Sequence, residues 1–478
     1  LSLELQELRS NVVGAQLGQQ AISTSLKAGA IGFAIVAVFM MVLYLIPGVA
    51  AVIALALYVG LVLIMLTAFD ITLTLPGVAG IILSVGMAVD ANVIIFTRIK
   101  EEIGLGHSVK SAIKAGFSKA LSAILDGNIT TLIAAAVLYF RGSGTVKGFA
   151  STLAIGIVLS MFTALFITKG ALYALYAVGF EDPKFYGTKK DGKIINFLGK
   201  KNICFILSIA VIVAGWAGMA LHKGQTGYVL NYGMDFTGGT STNVTFNEDM
   251  SLDDISAKVV PVVSKITGDA DVQTQKVAGT NEVIIKTKTL DVEQRQQLED
   301  AMVENFGVDA EKITAESISG AVSTEMKKDA VWAVTIATVL MLLYIWFRFK
   351  DIRFAASAIL ALVHDVLVVV TFYSLAKWSV GSTFIACMLT IVGYSINATI
   401  VIFDRIRENL ALKKAGSKQT LEEIVNLSIT QTFTRSINTS LTTFIMVFVL
   451  FLLGVSSIRE FALPLMVGIV CGTYSSVC

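Results

Sequence analysis

The sequence predicts an integral membrane bundle of α-helices, built as two pseudo-symmetric halves, with a ferredoxin-like α+β domain outside the membrane. Of the 478 residues, 55% are hydrophobic and only 15% are charged, against about a quarter charged in a typical soluble protein. Eleven apolar runs, most of them about 20 residues long, can each cross a bilayer. A long motif at the end of the third run returns at the end of the ninth, which predicts the two halves.

The polar segments between these runs define the predicted domains. We place the spans at 28–46, 48–68, 75–97, 121–140, 148–178, 203–221, 330–347, 354–376, 382–404, 432–453 and 460–478. The predicted domains are a remnant of a first outside domain (1–27), five spans of the first half (28–180), a cytoplasmic linker (181–202), the first span of the second half (203–221), an outside domain (222–329) and five further spans (330–478). Because the chain starts at Leu1 and ends at Cys478 inside an apolar run, we expect a fragment of a longer protein.

Lysine and arginine residues mark one side of the membrane. They are concentrated in the loops that follow the third, fifth, seventh and ninth spans. Short loops rich in basic residues stay in the cytoplasm, whereas long domains cross regardless of their charge. The basic loops and the chain end are therefore predicted to be cytoplasmic, and the segment 222–329 to be extracytoplasmic. The stretches 107–120 and 417–428 are predicted to form short amphipathic helices at the cytoplasmic surface.

The segment 222–329 has the strand and helix order of a ferredoxin-like domain. Its strands are predicted at 228–232, 240–246, 272–277, 282–288 and 311–318. Its helices are predicted at 251–266, which Pro261 interrupts, and at 291–307, which has an Asp cap and a closing Gly. The segment has no Cys and no Gly-rich phosphate loop, so we expect binding or mechanical coupling from it rather than catalysis. We expect no cofactor, no metal and no nucleic acid partner.

Some polar features have a structural interpretation. Gly238 and Gly239 predict a bulge or a tight bend at the start of the outside domain, with ligand binding as the alternative. The two Arg-Ile-basic-Glu sequences, at 98–101 and 405–408, are predicted to anchor cytoplasmic helix ends and to pair locally.

The clearest internal repeat contains a charge within an apolar run. GMAVDANVIIFTRIKEEI (86–103) returns as GYSINATIVIFDRIRENL (393–410), with seven of eighteen positions identical. Asp90 of the first copy is aligned with Asn397 of the second. Asp90 lies about eight residues, roughly 12 Å, from the helix end at Arg98, so it is predicted near mid-bilayer. An ionised carboxylate there is costly and marks a candidate functional site; the alternative is a permanently protonated acid that serves helix packing.

Several motifs resemble SecD and SecF, auxiliary subunits of the bacterial Sec protein-export machine, here fused in one chain. The first copy of the repeat, DGNITT (126–131) and KGFASTLAIGI (147–157) resemble SecD. The motifs that resemble SecF are DFTGGT (235–240), LVHDV (362–366), GYSINATIVIFDRIREN (393–409), SINTSLTT (436–443) and GTYSS (472–476). The resemblance implies the RND superfamily and a non-enzymatic protein. It would use the proton-motive force to promote late preprotein translocation across the bacterial cytoplasmic membrane.

The same resemblance implies partners and a proton path. The implied partners are the SecYEG translocon, the translocating preprotein and, as further candidates, YajC and YidC, with protons or sodium as the coupling ion. Arg435 is the predicted partner of Asp90; it lies in a polar stretch of the tenth span whose small hydroxyl residues suit a hydrated path, and an interfacial anchor is the alternative.

The chain departs from the family pattern at one position. An acid normally follows the residue that corresponds to Asn397, and this chain has Ala398 there. We therefore add Asp365 and Asp126 to the predicted proton pathway of Asp90, Arg435 and Asn397. His364, beside Asp365, is either a relay or a packing residue. The alternatives to a proton-driven subunit are a proton-independent translocase scaffold and an RND transporter of lipids or small molecules.

Overall fold

The computed structural model describes residues 9–12, 15–142, 144–187, 194–269, 272–277, 280–413 and 419–478. The chain forms two compact units. The sheet unit comprises Leu1–Thr24, Asn231–Trp332 and Ser379–Ser382, and the membrane unit comprises Ser25–Leu230, Ala333–Trp378 and Thr383–Cys478.

The first six predicted spans are all helical. They are α1 (Ala15–Tyr44), α2 (Ile46–Ala68), α3 (Leu75–Gly104), α4 (Val109–Arg141), α5 (Thr145–Phe162) with its continuation α6 (Thr168–Ala177), and α7 (Lys201–Thr226). The π-helical residues Thr163–Ile167 join α5 to α6, so the long fifth run is one span. Side-chain caps fix two of the starts, because Thr74 accepts a hydrogen bond from the backbone of Gly77 before α3 and Ser108 accepts one from Ser111 before α4.

From residue 239 onward, the sheet unit has the predicted order of strands and helices. Its elements are β1 (Arg9–Val12), the single turn α8 (Met234–Thr237), β2 (Gly239–Thr245), α9 (Leu252–Asp254) leading through the π-helical Ile255–Val259 into α10 (Val260–Thr267), β3 (Gln273–Lys276), β4 (Glu282–Thr287), α11 (Val292–Phe306) and β5 (Ile313–Ile318). The strands form one antiparallel sheet in the order β1-β5-β2-β4-β3.

One predicted strand is wrong. Residues 228–232 form no strand; Tyr232 makes only an isolated bridge with Val380. The chain turns through α8 and then through Gly238 (φ 75°) and Gly239 (φ 119°) directly into β2. The predicted tight bend is therefore present, and it leaves no length of extended chain before β2.

Apolar residues from the sheet and its two helices form the core of the sheet unit. Val244, Ile285 and Val263 are fully buried there, and each such side chain contributes about 1.5–3 kcal/mol. Pro261 is the second residue of α10, and only Val260 separates it from the π-helical residues. A widened turn at this point accommodates a residue that lacks the backbone N–H, so the helix continues.

The remaining five spans follow the sheet unit in the chain. They are α12 (Gly320–Phe349), α13 (Ile352–Ala376), α14 (Ser382–Leu412), α15 (Leu421–Leu453) and α16 (Ser456–Val477). Within the described residues, eleven helices are long and apolar enough to cross a membrane. The short surface helices predicted at 107–120 and 417–428 are wrong, because α4 and α15 run without a break from their caps, and neither contains a proline that would interrupt it.

Strand β1 was not predicted, and it shows the pseudo-twofold symmetry of the repeat. It precedes α1 as β5 precedes α12, and it pairs with β5 in antiparallel fashion. Arg9 is opposite Ile318, and Val12 is opposite Ala315. An offset of 306 residues, one less than that of the repeated motif at 86–103 and 393–410, makes each of these pairs the symmetry equivalent of the other. Part of the polar segment 1–27 thus joins the sheet unit.

The same symmetry relates the central helices of the membrane unit. A Cβ atom on Gly86 of α3 would lie 3.1 Å from Thr443 Cα of α15, and one on Gly393 of α14 would lie 3.0 Å from Thr131 Cα of α4. Both glycines allow close approach of a helix from the other half. Each central helix therefore crosses a partner from the opposite half, and their polar residues meet between the halves.

Candidate functional site

Asp90 lies near the middle of α3, the most enclosed span of the membrane unit. In the most apolar stretch of α3, 94% of the residues are buried, and the corresponding value for α14 is 78%. Asp90 itself is 5% exposed. α3 packs against α4 and α15, and small residues such as Gly86 allow the close approach.

A small polar cavity borders Asp90 on the side of the second half. Its volume of about 20 Å³ is enough for one water molecule. It is lined by Asp90, Ile94, Tyr394, Asn397, Ala398, Val401, Arg435, Ser436, Thr439 and Ser440. A second cavity, of about 10 Å³, borders Asp90, Tyr394 and Asn397 on the side of α4. Asp90 thus lies between two spaces at the interface of the two halves.

Buried polar atoms without hydrogen-bond partners concentrate at this interface. In the part of the chain that the structure describes, four buried side-chain atoms have no partner, and three of them are Asp90 Oδ1, Asn397 Oδ1 and Arg435 Nη2. All three residues line the larger cavity. Unsatisfied buried polar atoms are rare and costly in folded proteins, so each needs an explanation. A cavity that can hold water or pass a proton provides one.

Hydroxyl groups complete the polar surface of the cavity. Tyr394, one turn before Asn397, donates from its hydroxyl to Thr443 Oγ1 at 3.1 Å. The same hydroxyl interacts with the Asp90 carboxyl. A tyrosine hydroxyl has a single proton to donate, so the direction of its hydrogen bonds depends on whether Asp90 carries a proton. Tyr394 is not among the residues predicted from the sequence, although its position three residues before Asn397 places both on one helix face.

Arg435 lies beside Asp90 but does not form the expected pair with it. Both residues are buried and line one cavity, and the carboxyl of Asp90 is within the electrostatic influence of the Arg435 guanidinium. The described side chains form no hydrogen bond or ion pair between them, and Arg435 Nη2 has no partner. The prediction of a direct pair is wrong for this structure, whereas the prediction that the two residues share one site is consistent with it.

Ala398 occupies the position at which the resemblance implies an acid, and Asn397 precedes it. The Asn397 amide packs so closely on Gly127 of α4 that a side chain at 127 would overlap it. Ala398 lines the larger cavity, so its methyl group leaves space next to the unpaired nitrogen of Arg435. The structure therefore brings three of the five predicted pathway residues together: Asp90, Arg435 and Asn397.

Asp126 lies elsewhere, in an ion-pair network. Its carboxylate accepts hydrogen bonds from Tyr344 (2.7 Å) and from Arg348 Nε (2.6 Å), both on α12. Arg348 also reaches Asp404 at 3.4 Å. Asp126 is absent from the lining of both cavities, and its partners explain its burial without a role in proton transfer.

Asp365 also lies outside the cavities, in a second polar cluster among α7, α13, α14 and α16. It is fully buried and accepts hydrogen bonds from Ser395 (2.5 Å), Ser475 (2.9 Å) and Cys471 Sγ (3.1 Å). The adjacent His364 contacts it through Nδ1 at 3.0 Å. Four groups thus surround one carboxylate, and only the histidine is among the residues that the sequence singles out.

Four charged residues join the ends of α3 and α14. Arg98 contacts Glu101 and Glu408 at 3.0 Å each, and Arg405 contacts Glu408 at 3.0 Å and Glu101 at 3.3 Å. The predicted local pairs are present, and two cross pairs link the helices. We call these four residues the ion-pair quartet; it lies on the side of the basic loops.

Comparison with known proteins agrees with this architecture. The family model described as protein export membrane protein SecD/SecF, C-terminal, matches residues 2–178 and 298–478. The chain is 38% identical to the protein translocase subunit SecDF of Bacillus subtilis over 100% of its own length and 66% of the relative's length. It is 33% identical to SecDF of Brucella abortus over 98% of its length and 61% of that relative.

A solved structure shows the same fold. The crystal structure of SecDF from Thermus thermophilus, described as a translocon-associated membrane protein, superposes with a TM-score of 0.87 and 35% sequence identity. The match covers 98% of this chain and 63% of that structure. The chain thus spans about two thirds or less of the length of these SecDF relatives.

Proposed function

Because the chain belongs to the family of SecD and SecF protein-export membrane proteins, we propose that it is an auxiliary subunit of the Sec translocase that uses the proton-motive force to promote late preprotein translocation across the cytoplasmic membrane. It is a transport component rather than a catalyst. One observation carries this proposal: Asp90 Oδ1, Asn397 Oδ1 and Arg435 Nη2 are buried without partners around one water-sized cavity.

Asp90 is the proton-carrying group in this proposal. A buried, incompletely hydrogen-bonded carboxylate is costly in the membrane interior when it is ionised, and uptake of a proton removes that cost. Two cavities touch Asp90, so a proton can reach it from one space and leave into the other. The Tyr394 hydroxyl can reverse its hydrogen bond as the proton arrives or leaves.

Protonation would then move the two halves. Asp90 belongs to α3 of the first half, and Arg435 belongs to α15 of the second. Neutral Asp90 no longer attracts the guanidinium of Arg435. The electrostatic attraction between the two halves therefore weakens each time Asp90 takes up a proton. A proton that crosses the membrane provides about 2.3 kcal/mol per 100 mV, which is enough to shift two packed helices between arrangements that are close in free energy.

The ion-pair quartet supports a gate at the end of this path. If the halves separate there, the cross pairs Arg98–Glu408 and Arg405–Glu101 break, while the pairs within each helix persist. Opening thus removes two of the four ion pairs and leaves no charge unpaired. The positive-inside rule places this end in the cytoplasm.

The remaining features of the proposal follow from the family. We propose an RND-type arrangement with the sheet unit, a ferredoxin-like domain, outside the cytoplasmic membrane, where it holds or releases the emerging preprotein. The proposed partners are SecYEG and the preprotein, with YajC and YidC as further candidates and protons or sodium as the coupling ion. Asp365 and Asp126 remain predicted pathway residues, although their contacts favour structural roles.

A proton-independent scaffold is the main alternative, because Ala398 replaces the acid of the family pattern. Asp90→Asn separates the two functions. In membrane vesicles that contain the translocase and this protein, we expect Asp90→Asn to abolish the part of late preprotein translocation that a proton uncoupler removes, and to spare the remainder. A sodium ionophore in place of the uncoupler identifies the coupling ion.

Asp404→Asn is the matched control. It also removes one carboxylate from a central helix, but Asp404 is absent from both cavities, so the uncoupler-sensitive part should persist. If Asp90→Asn retains full sensitivity to both ionophores, the protein is a scaffold and the proposal is wrong.

A further inference from the structure

The second polar cluster contains three side chains whose metal-ligating atoms converge. His364 and Asp365 lie on α13 and Cys471 lies on α16, and one ligand atom from each falls within 4.8 Å of the other two. The three separations are 3.0 Å between His364 Nδ1 and Asp365 Oδ1, 3.1 Å between Cys471 Sγ and Asp365 Oδ1, and 3.9 Å between Cys471 Sγ and His364 Nδ1. None of the three residues lines either of the cavities beside Asp90.

These separations are close to those of a tetrahedral zinc site. Bonds of about 2.0–2.1 Å to nitrogen and oxygen and about 2.3 Å to sulfur imply roughly 3.3 Å between the nitrogen and oxygen ligands and roughly 3.6 Å between sulfur and either of them. The observed triangle differs from this by a few tenths of an ångström at each edge. Small rotations of three side chains would bring all three atoms to bonding distance of one ion.

The surrounding hydroxyl groups orient the three ligands. Ser395 and Ser475 both donate to Asp365 Oδ2, which leaves Oδ1 directed at the cluster. Ser208 of α7 contacts His364 Nε2 at 3.0 Å. If the Ser208 hydroxyl accepts a hydrogen bond from Nε2–H, the lone pair of Nδ1 faces the cluster and can bind an ion. Such outer partners, which fix the tautomer of a histidine and the orientation of a carboxylate, are typical of metal sites.

The charge balance favours a divalent ion of intermediate softness. One carboxylate, one thiolate and one neutral imidazole carry a total charge of −2, so Zn²⁺ would form a neutral cluster. A neutral cluster avoids the cost of a net charge inside the membrane unit. The thiolate and imidazole select Zn²⁺ or Co²⁺ over Mg²⁺ and Ca²⁺, which prefer oxygen ligands.

We propose that His364, Asp365 and Cys471 form a binding site for Zn²⁺ or a related transition-metal ion. Metal binding releases the thiol proton of Cys471 to solvent and links α13 to α16, with Ser208 adding α7. Three protein ligands leave one coordination position for a water molecule or for Ser475. The His364 side chain, 18% exposed, gives the ion a way in. The bound ion would hold α7, α13 and α16 of the second half together. The site is separate from the Asp90 cavity.

Co²⁺ is a suitable probe, because a cobalt–thiolate bond absorbs light where the metal-free protein does not. The two other thiols that meet, Cys204 and Cys478 at 3.1 Å, are first changed to serine, because they could bind metal themselves. In this background, purified in detergent, we expect one Co²⁺ per chain with a thiolate absorption band that Zn²⁺ displaces. Cys471→Ser and His364→Gln should each weaken Co²⁺ binding at least tenfold, and Cys471→Ser should remove the band.

Cys387→Ser is the matched control. Cys387 is also buried, but its thiol donates to the Phe461 carbonyl of α16 and not to a member of the cluster, so the band should remain. X-ray absorption of the Zn²⁺-loaded background provides a measurement that needs no further variant: one sulfur and two or three nitrogen or oxygen ligands are expected. No saturable band in the background, a band unchanged by Cys471→Ser, or a zinc shell without sulfur would each overturn the proposal.

Discussion

Two carboxylates lie deep in the membrane unit, and their surroundings differ. Asp365 is fully buried, and four groups contact its two oxygens. Asp90 is 5% exposed, and its Oδ1 has no partner. The cost of burying a charge is similar at both sites. At Asp365 the neighbouring groups offset this cost, and at Asp90 they do not.

The difference separates a carboxylate that holds structure from one that can change its charge. A carboxylate that several donors contact is part of the local packing, and its removal leaves those donors unsatisfied. A carboxylate beside a water-sized cavity can gain or lose a proton with little rearrangement. The second half adds to this contrast, because it has Asn397 at its own copy of the Asp90 position and Ala398 at the next position, so neither residue is an acid.

The largest expected effect is on stability, at Asp365. Asp365→Asn replaces an accepting oxygen with an NH₂ group that faces donors, so about two hydrogen bonds to a charged group are lost. We expect the free energy of unfolding to fall by about 3–5 kcal/mol. Asp90→Asn should change it by less than about 1 kcal/mol, because Oδ1 has no partner to lose. Thermal unfolding in detergent, with a chelator present to exclude any contribution from metal, measures both.

Equal destabilisation by the two substitutions would contradict this comparison. Ser395→Ala provides an internal check, because it removes one of the donors to Asp365 and should cost about 1–2 kcal/mol. If Asp365→Asn lowers the free energy of unfolding by no more than Ser395→Ala does, the four contacts of Asp365 contribute little to stability.

A second prediction exchanges the acid between the halves. Asp90→Asn combined with Asn397→Asp moves the carboxylate across the pseudo-twofold axis, and both positions line both cavities. Asn and Asp have the same shape, so the close packing of residue 397 on Gly127 is preserved. We expect uncoupler-sensitive translocation to return to within about tenfold of the parent rate, a barrier difference of about 1.4 kcal/mol.

The single change Asn397→Asp is the control for this exchange, because it adds an acid without removing one. If the exchanged variant behaves like Asp90→Asn alone, the two halves are not interchangeable at this site. The proton path would then depend on the neighbours of residue 90 in α3 and not on the cavity.

The sequence predicted most of this arrangement where the information is local or repeated. The ends of α11 follow from Asp291, Gln294 and Gly307, which form the predicted caps. The meeting of Asp90 and Asn397 follows from their equivalent positions in two copies of one motif. Both kinds of signal can be read from spacing along the chain.

Contacts that depend on helix rotation could not be predicted in the same way. The group around Asp365 combines residues from three helices, and hydropathy does not fix how those helices rotate. Strand β1 pairs with β5 across more than 300 residues, and its four residues show no pattern of their own. The cross pairs of the ion-pair quartet can be predicted from the sequence in principle. The same Arg and Glu positions end two neighbouring helices, so pairing is possible between the helices as well as within each.

The smallest expected effect concerns a third carboxylate, Asp254 of the sheet unit, which is exposed to water. A hydrogen bond from Ser251 Oγ (2.6 Å) and an ion pair with Lys258 (3.0 Å) lower its pKa below the ordinary value. A lowered pKa in the folded state means that the ionised form stabilises the protein above the ordinary pKa, and that this contribution disappears as the pH falls through the folded value. Asp254→Asn should therefore lower the melting temperature slightly at pH 7, by far less than Asp365→Asn, and should have no effect near pH 2. A difference between parent and variant that grows as the pH falls would contradict this assignment, because it would mean that protonated Asp254, and not its carboxylate, contributes to the fold.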